Sequence, residues 1–309
     1  MTMPRIASVR GIALALCFAL LGTVPAFAGW RDDLKVLKVG FIAGDNPAYA
    51  VARLEPFRHQ LQYGLAVPVE LFPARSYQAL IDAQASGRIQ YAILSSLAYV
   101  ALDQTCHCAE PIVQPTTENG ARGFRAMLVT RSDSGIANLD DARGKRLAIG
   151  ARDSISGRIA PYSALAEQGI EPESYFARAF ETEDAAAALR SLAEGDADLA
   201  VAWSTADDPV STTPGSGPIA DLAEASDISL PPLRAIWVSE LIPFGPHAIR
   251  TDLAPEARAA LIDTLLHMKD TTPDAYDAVG RSFSGGFVPA DPTLYRRFSG
   301  LLASVEQPQ

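Results

Sequence analysis

GFRAMLVTR (residues 123–131) and its later counterpart PLRAIWVSE (residues 232–240) decide how this chain is divided. Both are extended in pattern, apolar over most of their length, and bracket a self-contained block of alternating strand and helix patterns. A chain that leaves one lobe, builds a second and returns must cross between the two twice. These segments are the expected crossover strands. Read otherwise, they are two more strands of a single sheet, and spacing alone leaves both readings open.

Outside and inside the block the pattern is the same. Val36–Ile42 reads as a buried strand broken by GDNP, and Ala48–Leu61 has a helical period. Val67–Phe72 is a strand, Tyr77–Ala85 a helix ending near Gly87, and Tyr91–Leu94 a short strand running into a Ser-Ser helix start. After Phe124–Thr130 come a short helix, a turn at Gly144-Lys145, a strand at Arg146–Ile149 and a helix over Gly157–Gln168. Ala185–Ala193 is strongly helical, Asp198–Trp203 a strand, and 205–218, rich in Pro, Gly, Ser and Thr, a surface loop. Arg234–Val238 is another strand, and Ala254–Lys269 and Pro292–Ala303 are closing helices. The fold class is therefore α/β with more than one βαβ unit. Its expected division is a leader over 1–28, a first lobe over 29–124, a second over 125–233, and a return to the first over 234–309.

The leader is read from MTMPRIASVRGIALALCFALLGTVPAFA. Arg5 and Arg10 form a basic start, Gly11–Val24 is apolar but short for a membrane span, and Ala26-Phe27-Ala28 is a small-x-small signal. This predicts export with cleavage after Ala28. Leu16 is too bulky beside Cys17 for a lipoprotein cut there. No later segment has the apolar length of a membrane helix.

The chain carries 26 Lys and Arg against 36 Asp and Glu, a formal net charge of −10. Removing the leader's two arginines makes the remainder more acidic still. Such a surface excludes nucleic acid as an expected partner. It does not exclude a small anion, because backbone dipoles can hold one in a pocket while the exterior stays acidic.

Cys106 and Cys108, in TCHCAEP, are the two cysteines beyond the leader. A vicinal bridge closes a tight ring. A metal site from Cys106, His107 and Cys108 would need a second cluster at ligand spacing, which the sequence lacks, and no metal or cofactor is expected.

Three strand-to-helix junctions carry hydroxyl or amide side chains: Gly44-Asp45-Asn46-Pro47, Ser95-Ser96 and Ser154-Ile155-Ser156-Gly157. The first amides of a helix lack intrahelical partners and sit at its positive end. Serine hydroxyls add donors, and Gly157 lets backbone approach a ligand without a Cβ in the way. Any one of them is also an ordinary N-cap. Together, at strand ends where α/β folds bind ligands, they describe an anion-friendly cleft. A hydrolase using Ser154 or Ser156 would need a base. His59, His107, His247 and His267 lie in no triad context, and SISG is not the G-x-S-x-G elbow, so no enzyme activity is expected.

Five blocks in sequence resemble the periplasmic phosphate/phosphite/phosphonate-binding proteins of ABC importers. They are VGFIAGDNPAYAVARLEPFRHQLQYGLAVPVEL, SYQALIDAQASGRIQYAILSSLAYV, LDDARGKRLAIGARDSISG, LAEGDADLAVAW and IWVSELIPFGPHAIR. The resemblance implies a two-lobed periplasmic binding protein fold (type II), hinged at two crossover strands and closing on a small oxyanion delivered to a membrane permease and its ATPase. Carried over by position, Ser154 and Ser156, with the Ile155 and Gly157 amides, would hold the oxyanion from the second lobe. Ser95 and Ser96 would hold it from the first, and Tyr77 would cover it and donate its phenol. Ile155 stands where family members often have Thr, and no His precedes the helix beginning near Asp184. Asp184 and Glu240 are candidates to pair with a ligand ammonium, and Trp203 to wall the cleft. Their plain readings are a helix-terminal charge, a solvated acid and a core residue. The chain is expected to act as a monomer. A sulfonate or pyrimidine-type ligand, or a sensory rather than transport role, is the alternative within the same fold.

Overall fold

The computed structural model describes residue 2 and residues 29–44, 46–152, 154–225, 228–280 and 282–303, with side chains described as far as 299. Apart from Thr2, the expected leader lies outside the described residues. The strands are β1 (Leu37–Ile42), β2 (Val69–Ala74), β3 (Tyr91–Ile93), β4 (Ala109–Thr116), β5 (Gly123–Arg131), β6 (Arg146–Ile149), β7 (Arg178–Glu181), β8 (Leu199–Ser204), β9 (Leu233–Val238), β10 (Ile242–Pro243), β11 (His247–Arg250) and β12 (Gly286–Pro289).

They form two sheets of one design. The first runs β12-β4-β11-β3-β1-β2, with β2, β1 and β3 parallel and β11 antiparallel to β3. The second runs β10-β5-β8-β6-β7 with β9 also on β5; here β7, β6 and β8 are parallel and β5 is antiparallel to β8. In both, the inner parallel strands are mostly buried and apolar, as two-sided burial demands, while the edge strands β2 and β7 are only partly buried. Leu37, Val39 and Phe41 of β1, and Leu199 to Ala202 of β8, are all buried. Each sheet has its own core, one around Val39, Phe57, Leu61 and Leu261, the other around Leu128, Leu147, Leu189 and Val201.

The two segments expected to cross between lobes both lie in the second sheet, where β9 pairs antiparallel with β5. Met127, Leu128 and Val129 are buried among second-lobe residues, so this apolar strand belongs inside that sheet. The crossings fall at the strands' first-lobe ends, over 117–122 and 239–246. The return to the first sheet therefore comes after β9, later than the expected boundary at 234. Strands β4, β7, β11 and β12 lack a clear sequence signal: Pro111 and Pro115 interrupt β4, and the other three are only four residues long.

The helix Pro292–Ala303 lies across the join. Phe298 is 2% exposed in a cluster with Val100 of the first lobe, Ala126 and Ala160 of the second, and Ile242 of the returning segment. Beneath it, Phe244 N–H donates to Arg122 O at 2.9 Å and Gln114 Nε2 donates to the same carbonyl at 2.7 Å, tying the two crossings together.

Candidate functional site

A cavity of about 300 Å³ opens at the carboxyl ends of β1 and β3, lined by Phe41, Ile93, Arg53, Tyr77, Ser95 and Phe283 among others. Each polar group reaches it for a local reason. Asn46 caps the helix Pro47–Leu65 through Oδ1, which accepts from Tyr49 N–H at 3.1 Å, and Pro47 fills the first turn. Arg53 lies nearly two turns further on, exposed, with no ion-pair partner among the described residues. Ser76 caps the helix Tyr77–Ala85 through the Ala79 amide, which places Tyr77 at its first position, 44% exposed.

Ser95 is the cap of the helix Ser96–Cys106, its Oγ accepting from Ala98 N–H at 3.1 Å. Its own O–H proton remains available to a ligand. Tyr99 N–H bonds Ser95 O, so the Ser96 and Leu97 amides are left without acceptors among the described residues. Ser96 itself is only 4% exposed and, unlike Ser95, is not among the residues that line the cavity. Gly245 makes the geometry possible. A Cβ there would stand 2.0 Å from Leu94 O and 2.9 Å from Ser95 Cα, so the returning segment can cross the cap only as glycine.

The second lobe presents the turn at 154–157. Its helix does not start as a regular α-turn at Gly157: Ser154 O accepts from both Arg158 and Ile159 N–H at 3.0 Å, a wide turn over Ile155–Ile159 that leads into Ala160–Glu167. Ser154 Oγ accepts from Gly157 N–H at 3.0 Å. The Gly157 amide expected to face a ligand is thus occupied within the turn. Gly157 is needed instead for contact with β6: a Cβ would lie 2.9 Å from Gly150 Cα, and Gly150 N–H donates to Gly157 O at 3.0 Å. What the turn leaves open is Ser156 Oγ and the amides of Ile155 and Ser156, none of which has a partner among the described residues. Two residues on, Arg158 pairs with Glu181 at 3.3 Å while its buried Nε has no partner among the described residues.

The Ile155 side chain packs on the cluster of Val100, Ala160 and Phe298 that also receives Leu97, two residues past the Ser95 cap. An apolar residue at 155 therefore joins the second-lobe turn to the first-lobe cap helix, where a Thr hydroxyl would be poorly placed. Both turns thus send an apolar residue onto one cluster.

Two expected ligand residues are employed otherwise. Asp184 caps the helix Ala185–Glu194, its Oδ1 accepting from Ala187 N–H at 2.7 Å, so its carboxylate serves the helix end. Trp203 is half-buried at the end of β8 and does not line the cavity. Its ring packs edge-on against Phe124 at 6.0 Å, Phe124 meets Phe244 at 6.3 Å, and Phe244 meets Phe283 at 4.6 Å. This aromatic run leads from the second sheet through both crossings to the cavity wall. Glu240 is exposed in the returning segment, its carbonyl accepting from Ser239 Oγ at 2.6 Å.

Arg53 was not singled out by motif. The signal available was Tyr49 and Arg53 at i, i+4, which places both on one helix face above an Asn cap. They also line an adjoining depression with Asp274 and Asp277. His247, at the cavity's inner wall, is buried and hydrogen-bonds the Tyr91 phenol through Nδ1. Burial keeps that phenol protonated, well above its ordinary range, and pushes the imidazole down to about 3, so it is a neutral structural group and no base.

The family model described as "ABC transporter, phosphonate, periplasmic substrate-binding protein" matches residues 39–295, which covers both lobes and both crossings. The chain belongs to this family. Its curated relatives include the phosphonates-binding periplasmic protein of Escherichia coli K12, 25% identical over 85% of this chain and 75% of that one. The phosphate-import protein PhnD of Mycolicibacterium smegmatis is likewise 25% identical, over 90% of this chain and 85% of that one. Among solved structures, the methylphosphonate complex of PhnD1 from Prochlorococcus marinus superposes with a TM-score of 0.56 at 17% identity, covering 88% of this chain and 98% of that one. That likeness is one of fold: the two-lobed type II architecture of periplasmic binding proteins. Members of the family are the substrate-binding components of ABC transporters.

Proposed function

We propose that the chain binds a phosphonate or a closely similar tetrahedral oxyanion between its lobes and presents it to a membrane permease and its ATPase. The observation that carries the reading is the convergence of Ser95, Tyr77 and Arg53, which has no ion-pair partner among the described residues, on one cavity, with the Ser96 and Leu97 amides, open among the described residues, next to Ser95 in the chain. Charge-assisted hydrogen bonds of this kind are the strong ones, and several act at once. Ser156 and the Ile155 and Ser156 amides complete the shell when the lobes close, and closure and binding are then one equilibrium.

The remaining walls, Phe41, Leu54, Ile93, Val279 and Phe283, are apolar. They suit a ligand with a carbon substituent better than an inorganic ion, whose every face seeks a donor. The carboxylates nearest the mouth, Asp274 and Asp277, flank Arg53 rather than the cap, so an ammonium on the ligand would be met at the rim. The protein works as a monomer, exported with its leader cut after Ala28, and does not engage nucleic acid. Binding and release are its whole chemistry.

Calorimetric titration of the mature chain with phosphate, phosphite, methylphosphonate, 2-aminoethylphosphonate and taurine tests the reading. Saturable binding of a phosphonate, tighter than phosphate, is expected. A site that takes only taurine moves the assignment to sulfonates, and no saturable heat from any of the five overturns it.

A further inference from the structure

At the end of the Ser96–Cys106 helix remote from the cleft, Cys106 and Cys108 are joined as a disulfide, with Cα atoms 5.0 Å apart and only His107 between them. Cys106 is the last helical residue; His107 takes the left-handed conformation, φ 48°, that ends the helix. Such a bridge closes too short a loop to remove much freedom from the unfolded chain. Nor does the local fold need it. Thr251 N–H donates to Cys108 O at 2.9 Å, and Arg250 Nη1 donates to Gln84 O at 2.8 Å and Ala85 O at 3.2 Å, fastening the same corner.

The two sulfurs have opposite surroundings. Cys108 Sγ lies 3.6 Å from Arg250 Nη1, whose guanidinium also pairs with Asp252 at 2.7 Å. Cys106 Sγ lies 3.6 Å from Leu102 O, at the negative end of the helix, where a carbonyl can accept a thiol proton. The other charges at this corner are paired as well: Asp103 with His107 at 3.5 Å, and Glu110 with Arg258 at 2.6 Å. A cation stabilises the thiolate of Cys108 and a helix carboxyl end disfavours that of Cys106. Both cysteines are half-buried and His107 is exposed, so a small thiol can reach the pair.

We propose that Cys106–Cys108 is a redox-active disulfide that exchanges with low-molecular-weight thiols. A thiolate RS⁻ attacks Cys106 Sγ, the S–S bond breaks, and its electron pair leaves on Cys108 as the thiolate beside Arg250. A second RS⁻ attacks the outer sulfur of the Cys106 mixed disulfide, forming RSSR and releasing Cys106, which takes a proton. Two RSH thus supply two electrons and two protons to give the dithiol. In reverse, Cys106, once deprotonated, attacks RSSR and releases RS⁻, and the Cys108 thiolate then attacks Cys106 Sγ of the mixed disulfide, closing the bridge and releasing the second RS⁻.

Glutathione is the probe. Millimolar reduced glutathione should open the bridge with the far-ultraviolet circular dichroism unchanged; reduction only in denaturant overturns the proposal. In the reduced protein at pH 7, iodoacetamide should label Cys108 at least about tenfold faster than Cys106, because the more ionised thiol reacts first. Arg250→Gln should narrow that ratio to about twofold, and equal or reversed labelling in the parent protein sinks the idea. Should the variant not fold, the pH profile of labelling in the parent decides. The Cys108 midpoint must fall below the ordinary thiol value of about 8.5 and that of Cys106 at or above it; the opposite order overturns the assignment.

Discussion

Tyr295 donates its phenol proton to Phe244 O at 2.8 Å, reaching from the closing helix onto the segment that returns the chain to the first lobe. Burial first, then the neighbouring Tyr99 and Asp291, keep that phenol protonated far above its ordinary range, so it is a permanent donor. The same Phe244 packs on Phe283 at the cavity wall and on Phe124 where the chain enters the second sheet. One hydrogen bond therefore fixes the point where hinge and binding surface meet.

Tyr295→Phe keeps the ring and removes that donor. The Phe244 carbonyl, buried beneath the closing helix, is left without it, which should cost about 1–3 kcal/mol of stability. Urea unfolding followed by circular dichroism measures this directly. An unchanged midpoint would mean that the crossing is held by packing alone.

Ser154 and Ser156 should separate when each is replaced by Ala. Ser154 Oγ is engaged by the Gly157 amide, so Ser154→Ala removes a cap and should lower stability by about 1 kcal/mol. Ser156 Oγ has no partner among the described residues, and Ser156→Ala should leave the melting temperature nearly unchanged while weakening ligand binding by about tenfold, the loss of one hydrogen bond to a charged group. Melting curves paired with calorimetry test the split. The reverse pattern would assign the ligand contact to Ser154.

Arg53 supplies the formal positive charge at the cleft mouth, where the other donors are hydroxyls and amides. Arg53→Gln keeps length and some donors but loses the charge, and should weaken oxyanion binding by about 10–100-fold, as expected for a charge-assisted bond. The parent's affinity should also fall more steeply with added salt than the variant's, because screening acts on the lost charge. Equal salt slopes would place Arg53 outside the electrostatics of binding.

How much of this was legible depends on what each feature needs from the chain. The α/β class followed from alternating strand and helix patterns, the two lobes were suggested by the apolar segments at 123–131 and 232–240 and by the family resemblance, and Ser95 and Ser154 stood out as caps because a helix start must satisfy its first amides locally. The crossings could not be placed, since β5 and β9 are apolar on account of their neighbours in the second sheet, which only pairing reveals. Asp184 illustrates the same limit from the other side. An acid before a helix is equally suited to a ligand ammonium or to its own Ala187 amide, and only geometry chooses. Arg53 carried no motif, because its role arises from where the Asn46-capped helix points.

Gly245→Ala places a methyl group against backbone at the Ser95 cap. With Leu94 O only 2.0 Å from the added carbon, neither chain can yield by rotating a side chain, so the crossing or the cap must move. Overpacking of this kind costs about 1–3 kcal/mol. Affinity for the ligand should fall with stability, because the displaced atoms belong to the cap. Loss of stability with unchanged affinity would show that the Ser95 end of the helix does not contact the ligand.

His247 sets an acid limit on the fold. In the unfolded chain its imidazole takes a proton near 6.5, whereas burial lowers the folded value to about 3. The unfolded state thus binds the extra proton across this window. The stability due to neutral His247 is complete above pH 6.5, falls as the pH drops, and levels off near 3. The slope should approach about 1.4 kcal/mol per pH unit, one proton's worth. Asp198, Asp252 and Asp291 have values lowered from 3.8 by their hydrogen-bonding partners, so their contributions are lost only at lower pH. Asp221, whose value is raised from 3.8 by burial and then by Glu224, is the same in parent and variant, so between pH 6.5 and 4.5 the difference between the two reads the histidine. His247 sits among the rings of Phe57, Tyr91 and Phe287, and His247→Phe preserves that packing while removing the titrating group and the hydrogen-bond partner of the Tyr91 phenol. The variant should start less stable at pH 7 yet lose far less between pH 6.5 and 4.5 than the parent. Urea unfolding at pH 7, 6, 5 and 4.5 makes the comparison, and parallel slopes would show that protonation of His247 is not what the acid acts on.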